Sequence, residues 1–226
     1  MIASIMQPTF MPWLGYFNII KNSDIFVFLD DVQFEKRSWQ QRNKILVNKK
    51  ESYLTIPVMS KSRFNQKINE VIVDNDQQWK IKHMKTLTNS YSKHEYFEET
   101  FSLINKIYQN NYEKLVDLNV NLIKSALNFL CINTKIIFSS QFNLSSSKEN
   151  RIIELCKIIK AKKYISPIGS KIYLKDGEIF NKNNIELEYI DYQHKVYKQK
   201  KIEKFVPRLS IIDAMFNLGK ETIEIL

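Results

Sequence analysis

Glycine is scarce, four residues in a chain of 226, and no two of them fall close enough to build a dinucleotide fingerprint or a phosphate-binding P-loop, both of which need several. Histidine is as rare. His83, His94 and His194 lie far apart, and neither His-Glu-x-x-His nor a cysteine–histidine ligand spacing occurs, which removes zinc chemistry from consideration. His83 and His94 read as helix-surface residues. The two cysteines, Cys131 and Cys156, sit in apolar, helix-like runs and read as reduced core residues, not as a disulfide, a metal site or a nucleophile. No Gly-x-Ser-x-Gly elbow is present. No apolar run approaches the roughly 20 residues that span a bilayer, and the opening MIASIMQPTF lacks the basic flank and long apolar stretch of a signal peptide. The expectation is a cytoplasmic protein without membrane insertion.

What is present is an ordinary globular composition. Hydrophobic residues at 44% and charged residues at 26% exclude disorder and fibrous repeats, and the length suits one elaborated α/β domain over residues 1–226. No repeat, low-complexity tract or Pro/Gly-rich linker marks a boundary. The net charge of +10 points to an anionic partner, but the lysines are scattered. Only Lys195, Lys198, Lys200, Lys201 and Lys204 form a dense run, and it reads as a solvated face with no nucleic-acid partner.

Along the chain, IASIM (residues 2–6) and IFVFL (residues 25–29) are continuous apolar runs of strand length, separated by a helical spacing from Trp13 to Ile20. This βαβ pattern predicts a Rossmann-like parallel sheet flanked by helices. Lys44–Val47 and Tyr53–Val58 predict an inserted β-hairpin, and Asn69–Val73 a short strand. Residues 77–130 carry helical periodicity in three segments, a helical block. Strands resume at Thr134–Ser139, Tyr164–Ser166 and Glu186–Ile190, with helices at Lys148–Ile159 and Ile211–Leu218.

Ligands of an open parallel sheet bind beyond the carboxyl ends of its strands, and that rule selects four segments. In the first, Gln7, Pro8, Trp13 and Gly15 belong to a proline-stiffened loop entering a helix. The second follows the second strand with Asp30 and Asp31, then Lys36, Arg37, Gln41, Arg42 and Asn43; mixed charge of this kind holds Mg²⁺ and phosphate together, arginine clamping oxygens bidentately. Adjacent carboxylates diverge in extended backbone, however, so the pair is not expected to reach one ligand. In the third, Ser145–Ser147 can cap the helix carrying Arg151. A cation in a first helical turn opposes the helix dipole and calls for an anionic partner, carboxylate or ligand. The fourth contributes Ser166 and Gly169 from a small-residue loop. Asp30, Asp31 and Asp213 are the candidate general bases by type.

The segments QPTFMPWLGYFNII, FVFLDDVQFEKRSWQQRNKI, ENRIIELCKIIKAKKYISPIGSKIYL and LSIIDAMFNLG together resemble the WbqC-like protein family over the full length. The resemblance implies an enzyme of surface-polysaccharide (O-antigen, lipopolysaccharide) biosynthesis that transfers an aminoacyl group, glycine foremost, or another acyl group to an amino sugar. That sugar is expected to be nucleotide-linked, with ATP and Mg²⁺ supplying activation and Asp30 holding the metal. The alternative is a non-catalytic sugar-nucleotide-binding or accessory protein of the same pathway. More distantly, strand, Pro-Thr loop, helix and strand look like the start of nucleotidylyl transferases such as pantothenate synthetase. Those carry His-x-Gly-His where Trp13-Leu14-Gly15-Tyr16 stand here. Without imidazoles to stabilise charge on a transferring phosphate, this second resemblance implies a fold and not adenylyl transfer.

Overall fold

A computed structural model describes residues 1–61, 63–172, 174, 177–200 and 202–226. Seven strands and seven α-helices follow in the order β1 (Ile2–Met6), α1 (Leu14–Lys21), β2 (Ile25–Phe28), β3 (Arg42–Val47), β4 (Lys50–Thr55), α2 (Trp79–Tyr91), α3 (Phe97–Tyr108), α4 (Leu115–Phe129), β5 (Lys135–Phe138), α5 (Lys148–Ile158), β6 (Lys163–Pro167), α6 (Gly177–Lys182), β7 (Glu186–Ile190) and α7 (Ile211–Leu218) among the described residues. The chain divides into two compact units, one of Met1–Gln7, Gly15–Asp31 and Asn133–Gln193, the other of Pro8–Leu14, Val32–Ile132 and His194–Leu226.

The first unit is the expected Rossmann-like layer. Its five strands are all parallel in the order β5-β2-β1-β6-β7. Successive side chains of a strand alternate between faces, so Ala3, Ile5, Ile25 and Val27 line one face and pack with Ile152, Leu155 and Cys156 of α5 and Phe180 of α6. Phe26 points to the opposite face, where its ring meets that of Tyr16 on α1 edge-on at 5.5 Å. With helices on both faces β1 and β2 are buried throughout their cores, which is why they read as unbroken apolar runs instead of alternating ones. The hydroxyl of Ser23 resolves the one polar residue of β1, donating to Ser4 Oγ at 2.7 Å.

The second unit packs helices against a hairpin. Asn48 and Lys49 take left-handed φ values of 50° and 66° and make a two-residue turn of the kind whose twist suits paired strands. The hairpin is therefore tighter and earlier than its apolar residues suggest: the polar stretch Lys50-Glu51-Ser52 belongs to β4, paired in register with Val47, Leu46 and Ile45. The expected strand at residues 69–73 is instead a 3₁₀ turn at Ile68–Glu70 followed by isolated bridges at Ile72 and Val73. Three helices occupy residues 79–129, as their periodicity requires. Phe216 of α7 stacks on Tyr91 at 4.3 Å and on Phe97 at 5.8 Å.

Two small-residue expectations change. Cys156 is buried, but Cys131 is exposed, because the helix ends just before it and the backbone there turns into the left-handed region at φ 56°. His83 is not on a helical surface: it is buried, with Nδ1 3.1 Å from Tyr108 Oη and Nε2 3.0 Å from the Thr55 carbonyl. Burial lowers its pKa to about 4. The unfolded chain therefore takes up this proton at higher pH than the folded one, and stability held above pH 6.5 is lost as pH falls towards 4. The loss through this residue should reach about 3 kcal/mol, seen as a urea midpoint that drops more steeply over that interval in the native protein than in His83→Gln.

Candidate functional site

Strand order reverses between β1 and β6, so the chain leaves their carboxyl ends in opposite directions and opens a crevice there. In the first unit this edge carries Gln7, whose carbonyl accepts from Tyr16 Oη at 3.0 Å, and Ser166, whose hydroxyl lies 2.7 Å from Ser170 Oγ and 3.2 Å from Tyr164 Oη. Gly169 follows in an exposed 3₁₀ turn with open space where a side chain would stand. Gly15 is buried in the first turn of α1.

Along the same edge, the ends of β2, β5 and α5 meet in a charged cluster. Asp30 accepts at Oδ1 from the Ser140 N–H at 3.0 Å and the Ser139 hydroxyl at 3.1 Å, and at Oδ2 from the Ser140 hydroxyl at 2.6 Å. Ser139 Oγ is also 2.5 Å from Asp31 Oδ1. The two carboxylates thus converge on one hydroxyl, contrary to the divergence expected of neighbours in an extended strand, because the backbone bends directly after β2. Asp31 pairs through Oδ2 with Arg151. This is the carboxylate that a cation in the first turn of α5 calls for, and both side chains are largely buried, at 12% and 13% exposure. Arg151 also donates to the Ser146 carbonyl at 3.1 Å, and its buried Nε has no protein partner. The expected serine cap is corrected: Ser147 stands at the helix N-cap without a side-chain cap bond, and the Ser146 hydroxyl turns instead to Glu154.

Asp30 offers little to a divalent cation. Three protein donors occupy its oxygens, a guanidinium neutralises its neighbour, and no group of three or more His, Cys, Asp or Glu among the described residues could hold a metal ion. Mg²⁺ needs near-octahedral oxygen ligation with waters retained, which this donor set does not fit.

The other candidates lie in the second unit. Asn43 and Gln41 are buried and already employed: Asn43 Nδ2 donates to the carbonyls of Phe10 (3.1 Å) and Met11 (2.7 Å), and Gln41 links the Arg37 N–H to the Ile56 carbonyl. Asn43 thereby holds the loop from Pro8 to Leu14, including Met11 at the unfavourable φ of 41°; Asn119 adds bonds to the carbonyls of Pro8 and Gln40. Trp13 is half-buried, its ring 5.2 Å from that of His194. Lys36 and Arg37 are exposed, Lys36 reaching the Ser60 carbonyl. Arg42 lays its guanidinium 4.4 Å above the Tyr53 ring. Lys195, Lys198, Lys200 and Lys204 are exposed; Lys201 lies outside the described residues.

Asp213, on α7, has no exposed surface and accepts from Tyr91 Oη (2.8 Å), Tyr197 Oη (2.7 Å) and Gln199 Nε2 (3.1 Å). Burial raises its pKa against the opposing pull of these three donors. Beside it lies a cavity of about 430 Å³ whose walls include Lys49, Ser90, Lys93, His94 and Lys200. Nothing in the sequence around Asp213 announces these partners, which come from α2 and from the segment before α7. Asp213→Ala should cost roughly 3 kcal/mol, because three buried donors lose their acceptor, whereas Asp213→Asn keeps one carbonyl oxygen and should cost less; chemical denaturation of both variants measures the difference.

No helix among the described residues is long and apolar enough to cross a membrane. No solved structure matches the chain. An uncharacterized protein of Mycobacterium tuberculosis, Rv1507c, is 33% identical over 221 residues, spanning 97% of this chain and 94% of the mycobacterial one. A family model running over residues 7–225 takes in both units, and with it the chain belongs to the WbqC-like protein family.

Proposed function

We propose that the protein is a transferase of surface-polysaccharide biosynthesis that binds a nucleotide-linked amino sugar at the carboxyl edge of the first unit's sheet and acylates its amine, glycine being the favoured acyl group. The observation that carries this reading is the reversal of strand order at β1 and β6, the position at which such sheets hold nucleotides, with Arg151 on the same edge presenting a buried Nε that has no protein partner. A phosphate oxygen would satisfy that donor, and an arginine fork matches phosphate geometry. In the transfer, the sugar nitrogen forms a bond to the acyl carbonyl carbon, the bond from that carbon to its activating group breaks, and the nitrogen gives up a proton. Asp31, paired with Arg151 at this edge, is assigned as the base that takes it. Activation of the acyl group is assigned to ATP.

A second reading, a sugar-nucleotide-binding accessory protein without turnover, is favoured by the carboxylates themselves, whose oxygens already accept hydrogen bonds from the protein. Incubation of the purified protein with UDP-linked amino sugars, glycine and ATP, read by mass spectrometry of the acceptor, separates the two. Acylated product supports the transferase, and its Arg151→Lys variant should show a KM for the sugar nucleotide raised at least about tenfold, since a point charge replaces a fork. Saturable binding without product would establish the accessory reading.

A further inference from the structure

The outer face of the hairpin carries a feature that the acylation reading does not use. β3 and β4 pair so that Lys44 stands opposite Tyr53 and Arg42 opposite Thr55; with alternation along each strand, Arg42, Lys44 and Tyr53 share one face while Asn43, Ile45 and Leu54 are buried on the other. Trp39, just before β3, brings its ring to 6.2 Å from that of Tyr53 at an angle of 40°. These are large aromatic side chains left in solvent: Trp39 is 50% exposed and Tyr53 44%.

Charge on this face is sorted. Lys44 is tied to Glu51 at 2.6 Å. Arg42 is not tied to any carboxylate: its guanidinium makes no hydrogen bond or ion pair among the described residues, and it lies over the face of the Tyr53 ring. Stacking covers one face of a guanidinium and leaves its N–H edge open, so the fork is held in place with its donors unspent. A two-ring shelf is too small for a stable protein interface, which needs on the order of 800 Å² from each partner. One uncommitted cation is also too little for a polyanion, whose binding draws on many.

We propose that Trp39, Tyr53 and Arg42 form a binding platform for an acidic sugar residue, a pyranose bearing a carboxylate or phosphate. The apolar face of the ring lies on Trp39 and Tyr53, and the anionic group takes the Arg42 fork. The platform stands independently of the acylation reading, since it involves none of the residues at the sheet edge.

Fluorescence titration tests it, because of the three tryptophans Trp79 is buried, Trp13 half-buried and Trp39 the most exposed. Galacturonate trisaccharide and glucose 1-phosphate serve as the carboxylate and phosphate probes, maltotriose as the neutral control and oligothymidylate as the polyanion. The acidic sugars are expected to change the emission of the native protein and not of Trp39→Phe, and Arg42→Gln should weaken binding at least tenfold with an unchanged melting temperature. Whichever acidic probe binds more tightly identifies the anionic group. Equal binding of maltotriose, tighter binding of oligothymidylate, a signal that survives in Trp39→Phe, or a concentration-dependent dimer abolished by Trp39→Phe would each overturn the assignment.

Discussion

Two carboxylates that share a single serine hydroxyl set the conditions for the first unit. Asp30 and Asp31 place negative charge at the ends of β2 and β5 in a spot largely closed to water, and an unpaired charge there would be expensive. Arg151 supplies the compensation, and in doing so it ties the first turn of α5 to the end of β2. Ser139 and Ser140 complete the tie from the end of β5. One consequence is geometric: the loops on the carboxyl side of these strands are held by charged hydrogen bonds, which are shorter and stronger than neutral ones. The other is electrical. The Arg151 guanidinium balances one of the two carboxylate charges, and the Ser139 and Ser140 donors satisfy the other.

The second unit relies on buried polar side chains in a different way. Asn43 and Asn119 give partners to the carbonyls of Phe10, Met11 and Pro8 in an irregular, twice-proline segment, and Gln41 links the Arg37 N–H to the Ile56 carbonyl. His83 ties α2 to Tyr108 and the Thr55 carbonyl, and Asp213 ties α7 to the side chains of Tyr91, Tyr197 and Gln199. Residues that look like ligand-binding chemistry in a list are here the internal scaffold of loops. Side chains facing water with unspent donors, Arg42 above all, are the ones left to meet a partner.

Much of this architecture was legible in the sequence because its signals are local. The runs at residues 2–6 and 25–29 are apolar at every position because both faces of the sheet are covered. The segments at 79–129 are periodic because each helix buries one side. The hairpin is visible in sequence and its turn is not: Asn48 and Lys49 stand undistinguished in the polar stretch between the two apolar runs, since left-handed φ in non-glycine residues leaves only a faint mark on sequence. The anion demanded by Arg151 was also foreseeable from the helix dipole, though not which of many carboxylates would answer it.

Sequence alone determined the class of fold, the βαβ start, the helical block over residues 79–129 and the set of residues able to do chemistry, all of which follow from composition, periodicity and motif. Tertiary structure decided how those residues are used. It made Asn43, Gln41 and Asp213 internal supports, brought Asp30, Asp31 and Arg151 from positions up to 121 residues apart into one cluster, and left Trp39 exposed and Arg42 half-buried over Tyr53. The physical reason is that burial and hydrogen-bond partnership depend on which segments meet after the chain has closed long loops, and no local pattern encodes the far partner of a polar side chain.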